Sequence, residues 1–249
     1  MPGAVFSSPP AREQRASSGE GQPDILSHVA IVHTIPASTH GRYLTEPPQR
    51  GTPRGLLVGF HGYAEPAEAH LARMRSIPGS AEWLLVSIQG LHRFYNRRSE
   101  EVVASWMTRQ DRELAIADNV AFVNGVVDAV TRESRVESPL VFAGFSQGVA
   151  MACRAACGCP CTVAGLISVG GDVPPELDRG ALSRIRVALV CRGSRDEWYS
   201  PEKWAADQAR LVDAGVDLSA FGFEGGHEWN AEVSAAAAVF VQRITSSGG

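Results

Sequence analysis

The chain has 249 residues, 44% of them hydrophobic and 20% charged, with a formal net charge of −4. That is enough chain for one α/β domain with a sizeable core, and it lacks the basic excess that a phosphate backbone attracts, so nucleic acid is not an expected partner. No uninterrupted apolar run approaches the roughly 18 residues that span a bilayer, so no membrane partner is expected either.

In chain order, residues 1–24 are rich in Pro, Gly, Ser and charge and read as a disordered tail, which leaves residues 25–249 as a single domain. The tail has no apolar h-region, and Glu13, Glu20 and Asp24 argue against a transit peptide, so a cytoplasmic protein is expected. "HVAIVHTIP" (His28 to Pro36) and "GRYLTEP" (Gly41 to Pro47) have the composition of two short strands. "GLLVGF" (Gly55 to Phe60) is a short apolar run bounded by glycines, as in a strand buried on both faces.

From there strand and helix signals alternate. A helix over about Pro66 to Ser76 precedes the strand "WLLVSI", a long helix over about Asp111 to Arg132 precedes "PLVFAGF", and a helix from Gln147 precedes "TVAGLISVG". The pattern continues with "RVALVCRG", a helix from Pro201 to about Ala214, the strand "VDLSAFGF" and a last helix over about Asn230 to Ile244. Such alternation predicts an α/β fold with a mainly parallel central sheet and helices on both faces, and ligands at the carboxyl ends of the strands.

Five cysteines are an odd count, and Cys153, Cys157, Cys159 and Cys161 crowd into nine residues. This is a poor disulfide framework. Thiolates at such spacing suit zinc, but no second cluster faces them, so packed thiols are expected and no metal.

The strand "LVFAGF" runs into Gly144-Phe145-Ser146-Gln147-Gly148 and then into a helical pattern. G-x-S-x-G between a strand and a helix is the setting of a nucleophile elbow, in which two glycines clear the space for a sharp turn that lifts the hydroxyl off the sheet. The plainer reading is a turn with Ser146 capping the helix. A serine nucleophile needs a base, oriented by an acid, and in the order Ser, Asp or Glu, His both follow the serine.

Of seven histidines only His227 follows Ser146, in "GFEGGHEW" just past a strand. The acid is expected past the preceding strand, where "VALVCRGSRDEWYSP" offers Asp196, with Glu197 its nearest rival; Asp172 lies one strand too early. Two amides must hold the oxyanion: Gln147, next to the nucleophile, and Tyr63, in the loop after "GLLVGF". His61 sits near the site as a rival base or substrate contact, and its place before Gly62 suits shaping the oxyanion loop.

The long connection Gly90 to Asp111 offers Trp106 as a wall of an acyl pocket, with Phe94 and Tyr95 beside it. Its Arg93, Arg97 and Arg98 read best as a solvated face paired with Glu100, Glu101 and Asp111. No cofactor is implied, since no G-x-G-x-x-G follows a strand and no P-loop lysine is present. His227-Glu228 lacks the second histidine of a zinc motif.

Together "FHGY", "GFSQGVAMA", "GGDVPPEL", "GSRDEWYSP" and "GGHEW" resemble, in order, the motifs of the phospholipase/carboxylesterase family of α/β-hydrolases, over about Arg54 to Ile244. The resemblance implies a cofactor-free serine esterase acting on a small-molecule carboxylic or thio ester, with Ser146, Asp196 and His227 as its triad and the Tyr63 and Gln147 amides as its oxyanion hole. The acid loop departs from the family, carrying Ser194-Arg195 where similar proteins often have His-Gly or Gly-Lys. With no lid-like apolar insertion, short-chain esters are the expectation; thioester or lysophospholipid hydrolysis, acyl transfer with the same triad, or a silent ligand-binding module are the alternatives.

Overall fold

The structure, a computed structural model, describes residues 30–136 and 139–246. The tail expected over residues 1–24 lies outside them. By backbone contacts the chain divides at Ser38. Residues 30–38 take no regular secondary structure, so the described part of the strand expected over His28 to Pro36 is not formed. Ile31, Val32 and Ile35 are exposed there; β-propensity is a preference that only a pairing strand realises.

In the second unit, from Thr39 on, strands β1 (Arg42–Glu46), β2 (Leu56–Phe60) and β3 (Leu84–Gln89) are followed by a hairpin, β4 (His92–Tyr95) and β5 (Val102–Ser105). Helix α1 (Ala67–Arg75) joins β2 to β3, and α2 (Arg112–Ser134) leads from the hairpin to β6 (Leu140–Phe145). Then come α3 (Gln147–Gly158), β7 (Gly165–Val169), the short α4 (Arg179–Leu182), β8 (Val187–Gly193), α5 (Pro201–Asp213), β9 (Asp217–Phe223) and α6 (Ala231–Ser246). Seven strands form one sheet in the order β1-β3-β2-β6-β7-β8-β9, parallel except for β1.

The inner strands are buried from end to end because both faces are covered. Along β6, Leu140 and Phe142 pack toward α2 and α3, while Val141, Ala143 and Phe145 pack toward α1 and α6. α2 has the length and composition of a membrane-crossing helix, yet it turns Val123, Val126, Val127 and Val130 into the core.

Strand order reverses between β2 and β6, because the chain goes from β2 to one neighbour, β3, and returns to pair β6 on the other side. The crevice at the carboxyl ends of β2 and β6 is therefore the expected ligand site. It lies between His61-Gly62-Tyr63 and Ser146.

The cysteine cluster differs from expectation. Cys159 and Cys161 are joined in a disulfide, while Cys153, Cys157 and Cys191 are free. α3 ends at Gly158, so Cys159 and Cys161, on either side of Pro160, lie past the helix and are free to bond to each other. Burial pushes the Cys191 thiol up to about 12 and the Cys157 thiol up to about 11. Among the described residues no group of three His, Cys, Asp or Glu could hold a metal ion.

Candidate active site

Ser146 sits between β6 and α3 with φ 53° and ψ −122°, a region that a non-glycine residue enters at a cost of order 1–3 kcal/mol. The two flanking glycines have separate reasons. A side chain at Gly144 would put its Cβ 2.7 Å from the backbone of Gly148 and Val149, the first turn of α3. One at Gly148 would meet the Phe60 carbonyl oxygen, at the end of β2, at 2.1 Å. The serine is thus held in a strained turn wedged between a strand end and a helix start, and its side chain makes no cap to α3.

His227 and Asp196 come together from the loops after β9 and β8. His227 Nδ1 lies 2.9 Å from Asp196 Oδ2; a carboxylate oxygen accepts, so Nδ1 is the donor and Nε2 is left as an acceptor. The Asp196 side chain is only 1% exposed, and its other oxygen accepts from the amides of Trp198 and Tyr199, both at 2.9 Å. Buried and bonded on both oxygens, it orients the imidazole. The His227 ring also rests on Phe145, the residue before the serine, with centroids 5.0 Å apart.

Glu197, the rival acid, is exposed, and Asp172 is paired with Lys203 at 3.0 Å. The departure at Ser194-Arg195 falls where it does not matter to the acid. The amides of these two residues donate to the carbonyls of Phe223 and Gly225, at 2.8 Å each, and their side chains reach Glu224 at 3.0 and 3.3 Å, so both backbone and exposed side chains tie the acid loop to the histidine loop.

Tyr63 and Gln147, the expected oxyanion donors, each line a cavity that Ser146 also lines, and Ala64 and Glu65 are laced to Ala104 of β5 by backbone bonds of 3.0 and 3.1 Å. Gln147 does more than supply an amide. Its side-chain Oε1 accepts from the Trp106 amide at 3.0 Å, and its Nε2 donates to the Met107 carbonyl at 3.3 Å, fixing the elbow against the end of β5.

Two expected substrate contacts are structural instead. His61 is fully buried: its Nδ1 donates to the Gly62 carbonyl at 2.6 Å and its Nε2 accepts from the Gly90 amide at 3.0 Å. Burial holds its pKa below the usual histidine value, against the Gly62 hydrogen bond and Glu65, which raise it. Its two nitrogens are spent on backbone, so it braces the Gly62-Tyr63 loop and offers nothing to a substrate. Trp106 is likewise fully buried. It stacks on His61 with centroids 4.9 Å apart and donates from Nε1 to the His61 carbonyl at 2.8 Å; a large aromatic with a polar handle was drawn into the core rather than to the pocket wall.

The sequence reading missed Glu65 and Arg73. They form a two-pronged ion pair, at 2.5 and 2.6 Å, and Glu65 Oε2 also accepts from the Gly62 amide at 2.7 Å. The Arg73 guanidinium lies 4.1 Å over the Phe145 ring. One ion pair therefore grips the loop that carries the Tyr63 amide and the residue that precedes Ser146. Glu65 and Arg73 are eight residues apart, and only the path of α1 back toward the sheet brings them together.

Two cavities meet at this point, of 410 and 310 Å³, and the residues common to both linings are Ser146 and His227. A serine that shares both cavities with a histidine, itself bonded to a buried carboxylate, has the residue types that nucleophilic catalysis uses.

The fold is that of the α/β-hydrolases. The chain resembles the phospholipase/carboxylesterase family, whose model matches residues 101–198; that stretch holds "GFSQGVAMA" and "GGDVPPEL" but neither "FHGY" nor "GGHEW", and the match supports hydrolysis of esters. A crystal structure of esterase PE8 superposes with a TM-score of 0.66 at 21% identity, covering 83% of this chain and all of that one. The Bacillus cereus carboxylesterase gives 0.63 at 16% identity over 82% of this chain and 94% of that one. Arabidopsis thaliana SOBER1 gives 0.64 at 17% identity over 76% and 98%. No curated protein sequence matches the chain.

Proposed function

We propose that the protein is a serine carboxylesterase acting on small esters through an acyl-enzyme. Ser146 Oγ attacks the ester carbonyl while His227 Nε2 takes its proton. The tetrahedral oxyanion is held by the amides of Tyr63 and Gln147, and collapse expels the alcohol, to which His227 returns the proton. Water then repeats the sequence and frees the acid and the serine. Asp196 keeps Nδ1 protonated and stabilises the imidazolium as it forms.

The observation that carries this reading is the 2.9 Å contact of His227 with a buried, doubly bonded Asp196, placed beside a strained serine where two cavities join. A fluorophosphonate probe tests it. The wild type is expected to take up one label, on the peptide containing Ser146, and Ser146→Ala none. Labelling that persists in Ser146→Ala, or a wild type that never labels, contradicts the assignment.

A further inference from the structure

Beyond the Gln147 amide, the 310 Å³ cavity has a wall that this chemistry leaves unused. On α3, Gln147, Ala150 and Arg154 follow at three- and four-residue steps and so share one face, and all three line the cavity. Ala150, with its single methyl, leaves the floor open between the serine end and Arg154. Two turns of helix advance about 10 Å, and arginine side chains on a helix lean back toward its N-terminus, so the guanidinium stands within a short acyl or alkyl chain of Ser146.

Arg154 is unusual in its partners. Its side chain is 5% exposed, yet its Nε and Nη2 converge on one oxygen of Glu176, at 2.8 and 2.5 Å, and Nη1 finds only the Met107 thioether at 3.6 Å. A guanidinium has five N–H donors, and a thioether is a weak acceptor. A buried charge in this state favours a second carboxylate, whose oxygens would complete its hydrogen bonding.

Arg112 and Lys203 line the same cavity. Glu176, behind this wall, serves both arginines, at 2.5 and 3.9 Å, and Asp172, in the lining, serves Lys203 at 3.0 Å. Three cations thus face two carboxylates. The 410 Å³ cavity has the opposite balance, with Glu65 and Glu228 against Arg73. A substrate with one charged end is sorted by that difference.

We infer that the 310 Å³ cavity receives a carboxylate borne by the substrate, so that the ester preferred by this protein carries an anionic group a short chain away from the scissile carbonyl. The methylenes between would lie along Pro174, Pro175 and the exposed Trp198. The inference rests on the serine esterase reading and adds the class of ester.

Two matched pairs of esters test it: mono-4-nitrophenyl adipate against 4-nitrophenyl hexanoate, with the charge on the acyl side, and 4-acetoxybutanoate against butyl acetate, with the charge on the alcohol side. The anionic member of one pair is expected to show a kcat/KM about tenfold above its neutral partner at low salt, the order of one charge-assisted contact. That ratio is expected to fall about fivefold or more in Lys203→Met and in Arg112→Gln, both at half-exposed positions that tolerate replacement, and to shrink with added salt. Serine-dependent turnover that favours the neutral ester in both pairs, or a preference for the anion that neither variant alters, overturns the inference and leaves the esterase reading standing. Failure to hydrolyse any of the four overturns both.

Discussion

At the scale of the residue, the site depends on a few side chains whose partners are already committed. Glu65 is the clearest case outside the proposed triad. Burial pushes its carboxyl up, but the Arg73 hydrogen bonds and charge and the Gly62 amide outweigh that and hold it below the usual range. Such a group contributes stability above its unfolded value, about 4.3, and loses it as pH falls through the lowered folded value. Glu65→Gln keeps the shape and removes the charge. It is expected to lower kcat about tenfold with a smaller change in KM, since the Gly62-Tyr63 loop is no longer held against the elbow. In denaturant titrations, its stability deficit relative to wild type is expected to shrink on acidification below about pH 4. An unchanged kcat, or a deficit that does not vary with pH, would remove Glu65 from its positioning role.

At the scale of the element, the same residue type has opposite consequences according to what surrounds it. Gly148 opens α3 under the end of β2 and has no room for a Cβ, whereas Gly125 lies exposed in the middle of α2 with nothing within 4 Å of where a Cβ would be. Gly125→Ala is therefore expected to stabilise the protein by about 0.5–1 kcal/mol through helix propensity, while Gly148→Ala displaces the elbow and costs both stability and activity. Thermal melts of the two variants check this, and equal effects would mean that the approach of β2 to α3 is not what requires the second glycine. Elements were also where the sequence was most legible. The strand "PLVFAGF" and the helix from Gln147 appear within a residue of their expected limits, because a fully buried parallel strand needs a continuous apolar run and the elbow needs its glycines. The segment from Ala30 to Pro36 and the hairpin β4–β5 were not legible, because a strand at the margin of a domain is decided by whether a partner exists, which local composition does not encode.

At the scale of the whole molecule, the sheet order is what assembles the site from distant stretches. The return from β3 past β2 to β6 opens the crevice, and the parallel run from β6 to β9 delivers Ser146, Asp196 and His227 to one edge from three separate loops. That Asp196 and His227 meet could be read in advance from residue type, chain order and position after a strand, since those constraints leave few choices. Trp106 and His61 could not, because both readings placed a polar aromatic near the site, and only packing decides whether such a ring faces the cavity or the core. The cations of the cleft escaped for a related reason. The arginines clustered in sequence are Arg93, Arg97 and Arg98, whose expected pairing with Glu100, Glu101 and Asp111 is not formed among the described residues; Arg93 donates to the His40 carbonyl at 3.0 Å instead. Arg112, Arg154 and Lys203 come from three helices that only the fold brings to one wall.

The measurement closest to the central claim is hydrolysis of 4-nitrophenyl esters from acetate to palmitate by the wild type and by Ser146→Ala in parallel. Turnover that rises to an optimum at short chains in the wild type and falls by a factor of about 10⁴ or more in Ser146→Ala is the predicted result. Turnover that survives the loss of the hydroxyl, or a wild type inert to every ester in the series, would contradict it.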